Sequence, residues 1–234
     1  MINWPENVSI LIPSYKSAHL IKKFIPDLLK IVPSKNICVV DDASNDNTDQ
    51  ICDSFGITCL KHTVNKGKGA ALDTGFRYLI NQDFSWLITM DADGQHAPRD
   101  LENFLTLIRN NPEMGIGIGK RCMKPGVMPL ARICSNVITS KLLSIFTGSK
   151  ILDSQCGYRV YSADFIKLIN IQFNRFEMES EVILKAAHHH FPICFTDVQT
   201  LYLDGFSHIS HFKDTIRWVK AVLVIWHSLG KKQS

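Results

Sequence analysis

Five short apolar runs, at residues 8–12, 37–40, 57–60, 86–90 and 114–118, lack strict polar–apolar alternation and so read as strands covered on both faces. Between them Leu20, Ile21, Phe24, Ile25, Leu28 and Leu29 recur at three- and four-residue spacing, as do Ala71, Leu72, Phe76 and Leu79, then Leu101, Phe104, Leu105 and Ile108. Those segments predict helices. Strand alternating with helix over about the first 120 residues admits few folds. Right-handed crossovers make the strands parallel, helices cover both faces of the sheet, and ligands bind beyond the carboxyl ends of the strands. The expected class is α/β with a mostly parallel central sheet. Beyond Gly119 the rhythm fades. Residues 130–146 place Arg132, Ser135, Asn136, Thr139, Ser140 and Ser144 on one side of a helix and Ile133, Val137, Ile138, Leu142, Ile145 and Phe146 on the other, which predicts an amphipathic helix with Arg132 on its wet face. Residues 179–190 predict another.

Charge narrows the class of partner. The chain has 26 Lys and Arg against 22 Asp and Glu, and 21 of each kind fall within residues 1–204. The excess of four therefore lies in the last thirty residues. A nucleic-acid binder spreads basic side chains over a face of its body, so no nucleic-acid partner is expected. One compact domain over 1–204, with a first half to about 120 and a second half from 121, carries a basic, apolar extension at 205–234. In helical projection Lys213, Arg217, Lys220, His227 and Lys231 form one stripe of that extension, while Ile216, Val219, Val222, Leu223, Ile225 and Trp226 fill the rest. Two readings stay open: a helix packed on the domain with a cationic edge, or one lying at an anionic membrane surface with Trp218 and Trp226 at the boundary. The apolar stretch at 221–226 is far short of the roughly 20 residues that span a bilayer. No basic segment precedes the first apolar run, and the seven cysteines include no CxxC pair, so free thiols in a reducing cytoplasm are expected.

The polar residues concentrate just after each strand. Pro13-Ser-Tyr15-Lys16 follows the first, Asp41-Asp42-Ala-Ser44-Asn-Asp46 the second, Asn65-Lys-Gly67-Lys68-Gly69 the third, and Asp91-Ala-Asp93-Gly-Gln95-His96 the fourth. All four clusters fall on one sheet edge. Asp91 and Asp93, two apart at a strand end, face the same side and suit one hard divalent cation, with Gln95 or water completing its shell; a solvated turn with Asp93 capping a helix is the plainer alternative. Asp41 and Asp42 suit hydrogen bonds to a base or ribose, or a helix cap. The glycines of residues 65–69 would let backbone N–H groups approach an anion at a helix start. The run Gly115-Ile-Gly-Ile-Gly119-Lys120 lacks the spacing and the Ser or Thr of a Walker loop, and His188, His189 and His190 have no partner at metal spacing.

In this order and spacing, the four clusters resemble the family 2 glycosyltransferases of the nucleotide-diphospho-sugar (GT-A) fold. Asp153-Ser-Gln-Cys-Gly-Tyr-Arg159 and the following Phe176-Glu-Met-Glu-Ser-Glu-Val-Ile-Leu184 are similar to stretches of dolichol-phosphate mannose synthases and bacterial polyprenyl-phosphate glycosyltransferases. The chain departs from them at Lys16-Ser17, Cys156 and Tyr158. The resemblance implies an inverting transferase moving a sugar from a nucleotide-diphosphate donor to a polyprenyl phosphate, working peripherally at the inner face of a membrane. It implies that Pro13, Tyr15, Asp41, Asp42 and Lys68 line the nucleotide pocket and that Asp91, Asp93 and Gln95 hold Mg²⁺ or Mn²⁺. Arg121, Arg132 and Arg159 would bind phosphate oxygens, and Asp153, Asp93 and Arg159 would be the catalytic set. A hydroxyl acceptor would need a general base, for which Asp153, Glu179 and Glu181 are candidates; a phosphate acceptor would not, and Asp153 would then orient Arg159 or the sugar. A hydroxyl acceptor on a glycolipid or glycan, or a non-catalytic sugar-nucleotide binder, are the alternatives.

Overall fold

The computed structural model describes residues 3–199, 218 and 222–229. Its strands are β1 (Val8–Ser14), β2 (Ile37–Asp41), β3 (Thr58–Lys61), β4 (Trp86–Thr89), β5 (Ile116–Arg121), β6 (Arg159–Ser162) and β7 (Ile193–Val198). Its helices are α1 (Ala18–Leu29), α2 (Thr48–Ser54), α3 (Lys68–Asn81), α4 (Leu101–Asn110), α5 (Leu130–Thr147), α6 (Ala163–Leu168) and α7 (Met178–His188). The strands form one sheet in the order β3-β2-β1-β4-β6-β5-β7. β6 runs antiparallel to β4 and β5, and the other pairings are parallel.

The five predicted strands are present, shifted by at most a few residues. β1 is buried along its whole length, as an apolar run without alternation requires. β6 and β7 are additions to the expected set. β6 has four residues and opens on an arginine, and β7 is a half-exposed edge of mixed polarity, so neither has the apolar run that marked the other strands. β1 places Ser14 opposite Asp41, and Met90 N–H donates to the Leu11 carbonyl at 3.0 Å. The carboxyl ends of β1, β2 and β4 therefore lie side by side, and the polar turns that follow them share that edge.

Helix α5 is turned the opposite way from expectation. Its buried residues are Asn136, Thr139, Ser140 and Leu143, whereas Leu130, Val137, Ile138 and Ile145 are exposed. The polar side faces inward because it has partners there: Asn136 Nδ2 donates to Asp153 Oδ1 at 2.7 Å, and Ser154 N–H donates to Ser140 Oγ at 3.0 Å. Arg132 is half-buried on the first turn of this helix.

In the C-terminal extension, Lys213, Ile216, Arg217, Val219, Lys220 and Lys231 lie outside the described residues. Residues 222–229 are helical, with Val222 and Ile225 buried and Leu223, Val224, Trp226 and His227 exposed. Trp218 Nε1 donates to Ser180 Oγ of α7 at 2.7 Å, and the Trp226 ring stands 5.6 Å from that of Phe146 on α5. Among the described residues no helix is long and apolar enough to cross a membrane.

Candidate active site

At the end of β4 the chain turns through Asp91, Asp93 and Gly94, the last with φ of 71°. Asp91 Oδ1 pairs with Lys68 Nζ at 2.7 Å, and the same ammonium reaches Glu179 Oε1 of α7 at 2.8 Å. Burial alone would raise the Asp91 carboxyl, but the Lys68 charge prevails and holds it at about 2. Burial likewise opposes the Lys68 charge, yet Asp91 and Glu179 keep its pKa well above the ordinary value. Asp93 is pushed up, by burial first and then by the neighbouring Asp91 charge. Its Oδ1 accepts Gln95 N–H at 2.9 Å. His96, quoted in the sequence cluster without a role, supports the turn: its Nδ1 accepts Asp91 N–H at 3.1 Å, and its ring stacks on Tyr158 at 4.6 Å. A Cβ on Gly157 would lie 2.6 Å from Asp91 Oδ2 and 2.9 Å from Lys68 Nζ. Glycine at 157 therefore leaves the second Asp91 oxygen its room.

This donor set suits a hard divalent cation: two carboxylates two residues apart, followed two residues later by Gln95, whose backbone N–H is tied to Asp93. Among the described residues no three His, Cys, Asp or Glu side chains are grouped to cage a metal. A cation held here would complete its shell with water and with oxygens of a bound diphosphate, as is usual for Mg²⁺.

Lys68, expected in the nucleotide pocket, is paired with the Asp91 and Glu179 carboxylates. The glycine-rich turn before it differs from the anion cradle expected. Lys66 and Gly67 N–H groups donate to the two carboxylate oxygens of Asp42 at 2.9 and 2.7 Å, and Gly69 N–H donates to the Asn174 carbonyl at 2.8 Å. A Cβ on Gly67 would come within 2.4 Å of that carbonyl, and one on Gly69 within 2.5 Å of the Phe173 carbonyl. The glycines admit the backbone of residues 173–175, and these donors already have partners. Asp42 is engaged on its other side as well, since His62 Nδ1 lies 2.6 Å from Oδ1. It shapes the turn and has little left for a base or ribose.

Asp41 is different. Its Oδ1 accepts Ser44 N–H at 2.9 Å, but its Oδ2 and the neighbouring Ser14 Oγ are buried without a hydrogen-bond partner among the described residues. Such groups are costly unless a ligand or water satisfies them. Pro13 is buried beside them, and Tyr15 stands exposed at the rim with Lys16 Nζ 5.2 Å over its ring.

On the other side of the site Asp153 is fully buried and receives a fork from Arg121, Nε to Oδ2 at 2.8 Å and Nη2 to Oδ1 at 2.9 Å. Arg121 N–H, Asn136 Nδ2 and Gln155 N–H add three more donors. Burial would raise this carboxyl, but Arg121 and the other donors hold it below the usual range. Arg121 keeps 18% of its side chain exposed, and its charge is felt at Asp91. Asp153 therefore orients Arg121, where Arg159 had been expected, and is not placed as a base. Arg159 is fully buried and donates to three backbone carbonyls, of Cys156, Glu179 and Ser154, at 2.6, 2.8 and 2.7 Å. It ties the 153–157 turn to α7, and its guanidinium donates to these carbonyls out of contact with solvent. Glu181 accepts Gln172 and Phe173 N–H and pairs with Lys185, which makes it part of the framework. Asn136 had no assigned role, because a helical projection puts an uncharged polar side toward water by default. The missed signal is that this side holds Ser, Thr and Asn, with Arg132 its only charge, where a wet face normally carries several charges.

The sequence profile of Glycosyl transferase family 2 matches residues 9–169. The UDP-N-acetylglucosamine–dolichyl-phosphate N-acetylglucosaminyltransferase of Methanococcus voltae is 28% identical over 219 residues, covering 84% of this chain and 86% of that one. The undecaprenyl-phosphate mannosyltransferase of Micrococcus luteus is 31% identical over 172 residues, 70% of each chain. Among solved structures, glucosyl-3-phosphoglycerate synthase from Mycobacterium tuberculosis, in complex with Mn²⁺, UDP and glucosyl-3-phosphoglycerate, superposes with a TM-score of 0.69. That match has 13% identity and covers 95% of this chain and 79% of the other.

Proposed function

From the premise that this chain belongs to glycosyl transferase family 2 and is a glycosyltransferase of GT-A fold, we propose that it moves a sugar, with inversion and with Mg²⁺ or Mn²⁺, from a nucleotide-diphosphate donor to a polyprenyl phosphate. The enzyme works from the cytoplasmic side, peripherally at the membrane that carries the acceptor. The observation that carries the choice of acceptor is the engagement of the carboxylates a hydroxyl acceptor would need. Asp153 accepts five donors, Glu179 is paired with Lys68, and Glu181 with Lys185. A phosphate monoester, with a second pKa of about 6, is largely dianionic at neutral pH and attacks without a base.

Each residue then has a task in that displacement. Asp91 and Asp93 would hold the cation, which when bound neutralises charge developing on the leaving diphosphate. Asp41 Oδ2 and Ser14 Oγ offer the nucleoside an acceptor and a hydroxyl that have no partner among the described residues. Arg121, locked by the Asp153 fork, presents its remaining N–H donors to phosphate oxygens in a fixed plane. Lys68 balances Asp91 and Glu179 until the diphosphate arrives. The two named relatives, acting by their names on dolichyl and undecaprenyl phosphates, support the acceptor class.

The test is incubation with a panel of radiolabelled sugar nucleotides, Mn²⁺ and polyprenyl phosphate, followed by organic extraction. Label enters the organic phase with one donor and disappears on chelation. Label that stays aqueous with every donor, or transfer that survives chelation, contradicts this reading.

A further inference from the structure

We propose that the outer face of α5 is the surface that lies against an anionic lipid bilayer, its apolar ridge at the acyl boundary and its lysines among the headgroups. The inference rests on the reading of a lipid-borne acceptor. Leu130 is 65% exposed, Ile138 59% and Ile145 75%, with Val137 between them and Val127 exposed just before the helix. Leu130 and Val137, like Ile138 and Ile145, stand seven residues or two turns apart, so all four share one side of the helix, with exposed Cys134 and Lys141 between them. A helix of 18 residues is about 27 Å long, and a soluble protein normally turns such a ridge inward. Here the inward side is committed to Asp153 and Ser154 through Asn136 and Ser140.

Charge selects the occupant. No Asp or Glu occurs from residue 114 to residue 152, while Lys120, Arg121, Lys124, Arg132, Lys141 and Lys150 do. Lys141 is exposed within the ridge, and Lys124 and Lys150 are exposed beyond its two ends. A second copy docked face to face would set basic on basic, whereas anionic headgroups complement the rim and receive the apolar ridge between them. The neighbouring C-terminal helix, joined through the Phe146–Trp226 ring contact, adds exposed Leu223, Val224 and Trp226. The surface is one step from the chemistry, because the helix that presents Ile138 also carries Asn136, which holds Asp153 and through it Arg121.

The experiment is flotation of the full chain with vesicles of phosphatidylcholine, alone or doped with phosphatidylglycerol. Wild type floats with the anionic vesicles. The double variant Ile138→Ser, Ile145→Ser loses about ten-fold or more in partition coefficient. Lys141→Gln loses about five-fold on anionic vesicles and nothing on neutral ones. All three proteins unfold at the same temperature, since the changed side chains are exposed. Transfer to a short water-soluble prenyl phosphate is unchanged in the variants, and transfer to a vesicle-borne acceptor falls. Wild type that does not float, a double variant that floats equally well, or a wild-type dimer that the double variant dissociates overturns the proposal. Flotation that behaves as described, without transfer to any prenyl phosphate, supports the docking face and rejects the acceptor.

Discussion

Lys68 meets two demands at once: it neutralises Asp91 and Glu179 in the protein alone, and it stands where a cation and a diphosphate would have to be accommodated. A resident ammonium and a divalent metal compete for the same carboxylate. Lys68→Met therefore binds Mn²⁺ alone about ten-fold more tightly and a nucleoside diphosphate less tightly, as measured by Mn²⁺ electron paramagnetic resonance titration and by calorimetry; unchanged Mn²⁺ affinity would remove Lys68 from this role. Asp153 behaves differently, since removing its charge leaves Arg121 half-buried and unpaired. Asp153→Asn costs about 3 kcal/mol of stability, read from urea unfolding, and greatly slows transfer. Its carboxyl is held below the unfolded value, with the Arg121 fork outweighing burial. Its contribution is therefore complete above the ordinary carboxylate pKa of about 4 and is lost as pH falls through the folded value. In Asp153→Asn that acid-side slope of stability is smaller.

Among the elements, α5 shows most clearly where sequence reading stops. The four polar turns along one sheet edge were legible because each follows a short apolar strand, and parallel strands carry their ends to one side. The inversion of α5 was not, because periodicity gives two faces and only tertiary partners decide which is inside. Those partners, Asp153 and Ser154, come from a turn beyond the helix. The glycines of residues 65–69 misled for a related reason. A glycine that admits an anion and one that admits the backbone of residues 173–175 are identical in sequence, and the partner is over a hundred residues away. Arg159 looked like a phosphate ligand because its destination, three carbonyls in the interior, leaves no local pattern. The orientation of α5 has a direct check. Asn136→Leu raises the apolar content of the helix yet destabilises the protein by about 2 kcal/mol or more, because it leaves buried Asp153 and Ser154 groups without their partner. A thermal melt at or above wild type would mean that Asn136 faces water.

Across the whole molecule, the Arg121 fork joins the end of β5 to the inverted helix through Asp153 and Asn136; in the proposed reaction that linkage connects the donor site to the acceptor. The neutral body foreseen from composition contains a local asymmetry that totals conceal, a stretch of 39 residues, 114–152, with no acid. The central claim is that the acceptor's own phosphate is the nucleophile and that the enzyme supplies no base. It is tested most directly by comparing polyprenyl phosphate with the corresponding polyprenol, under the same donor and Mn²⁺, across a pH series. The account predicts transfer to the phosphate alone, with kcat/KM rising as the pH passes about 6 and level above it. Comparable transfer to the alcohol would contradict it.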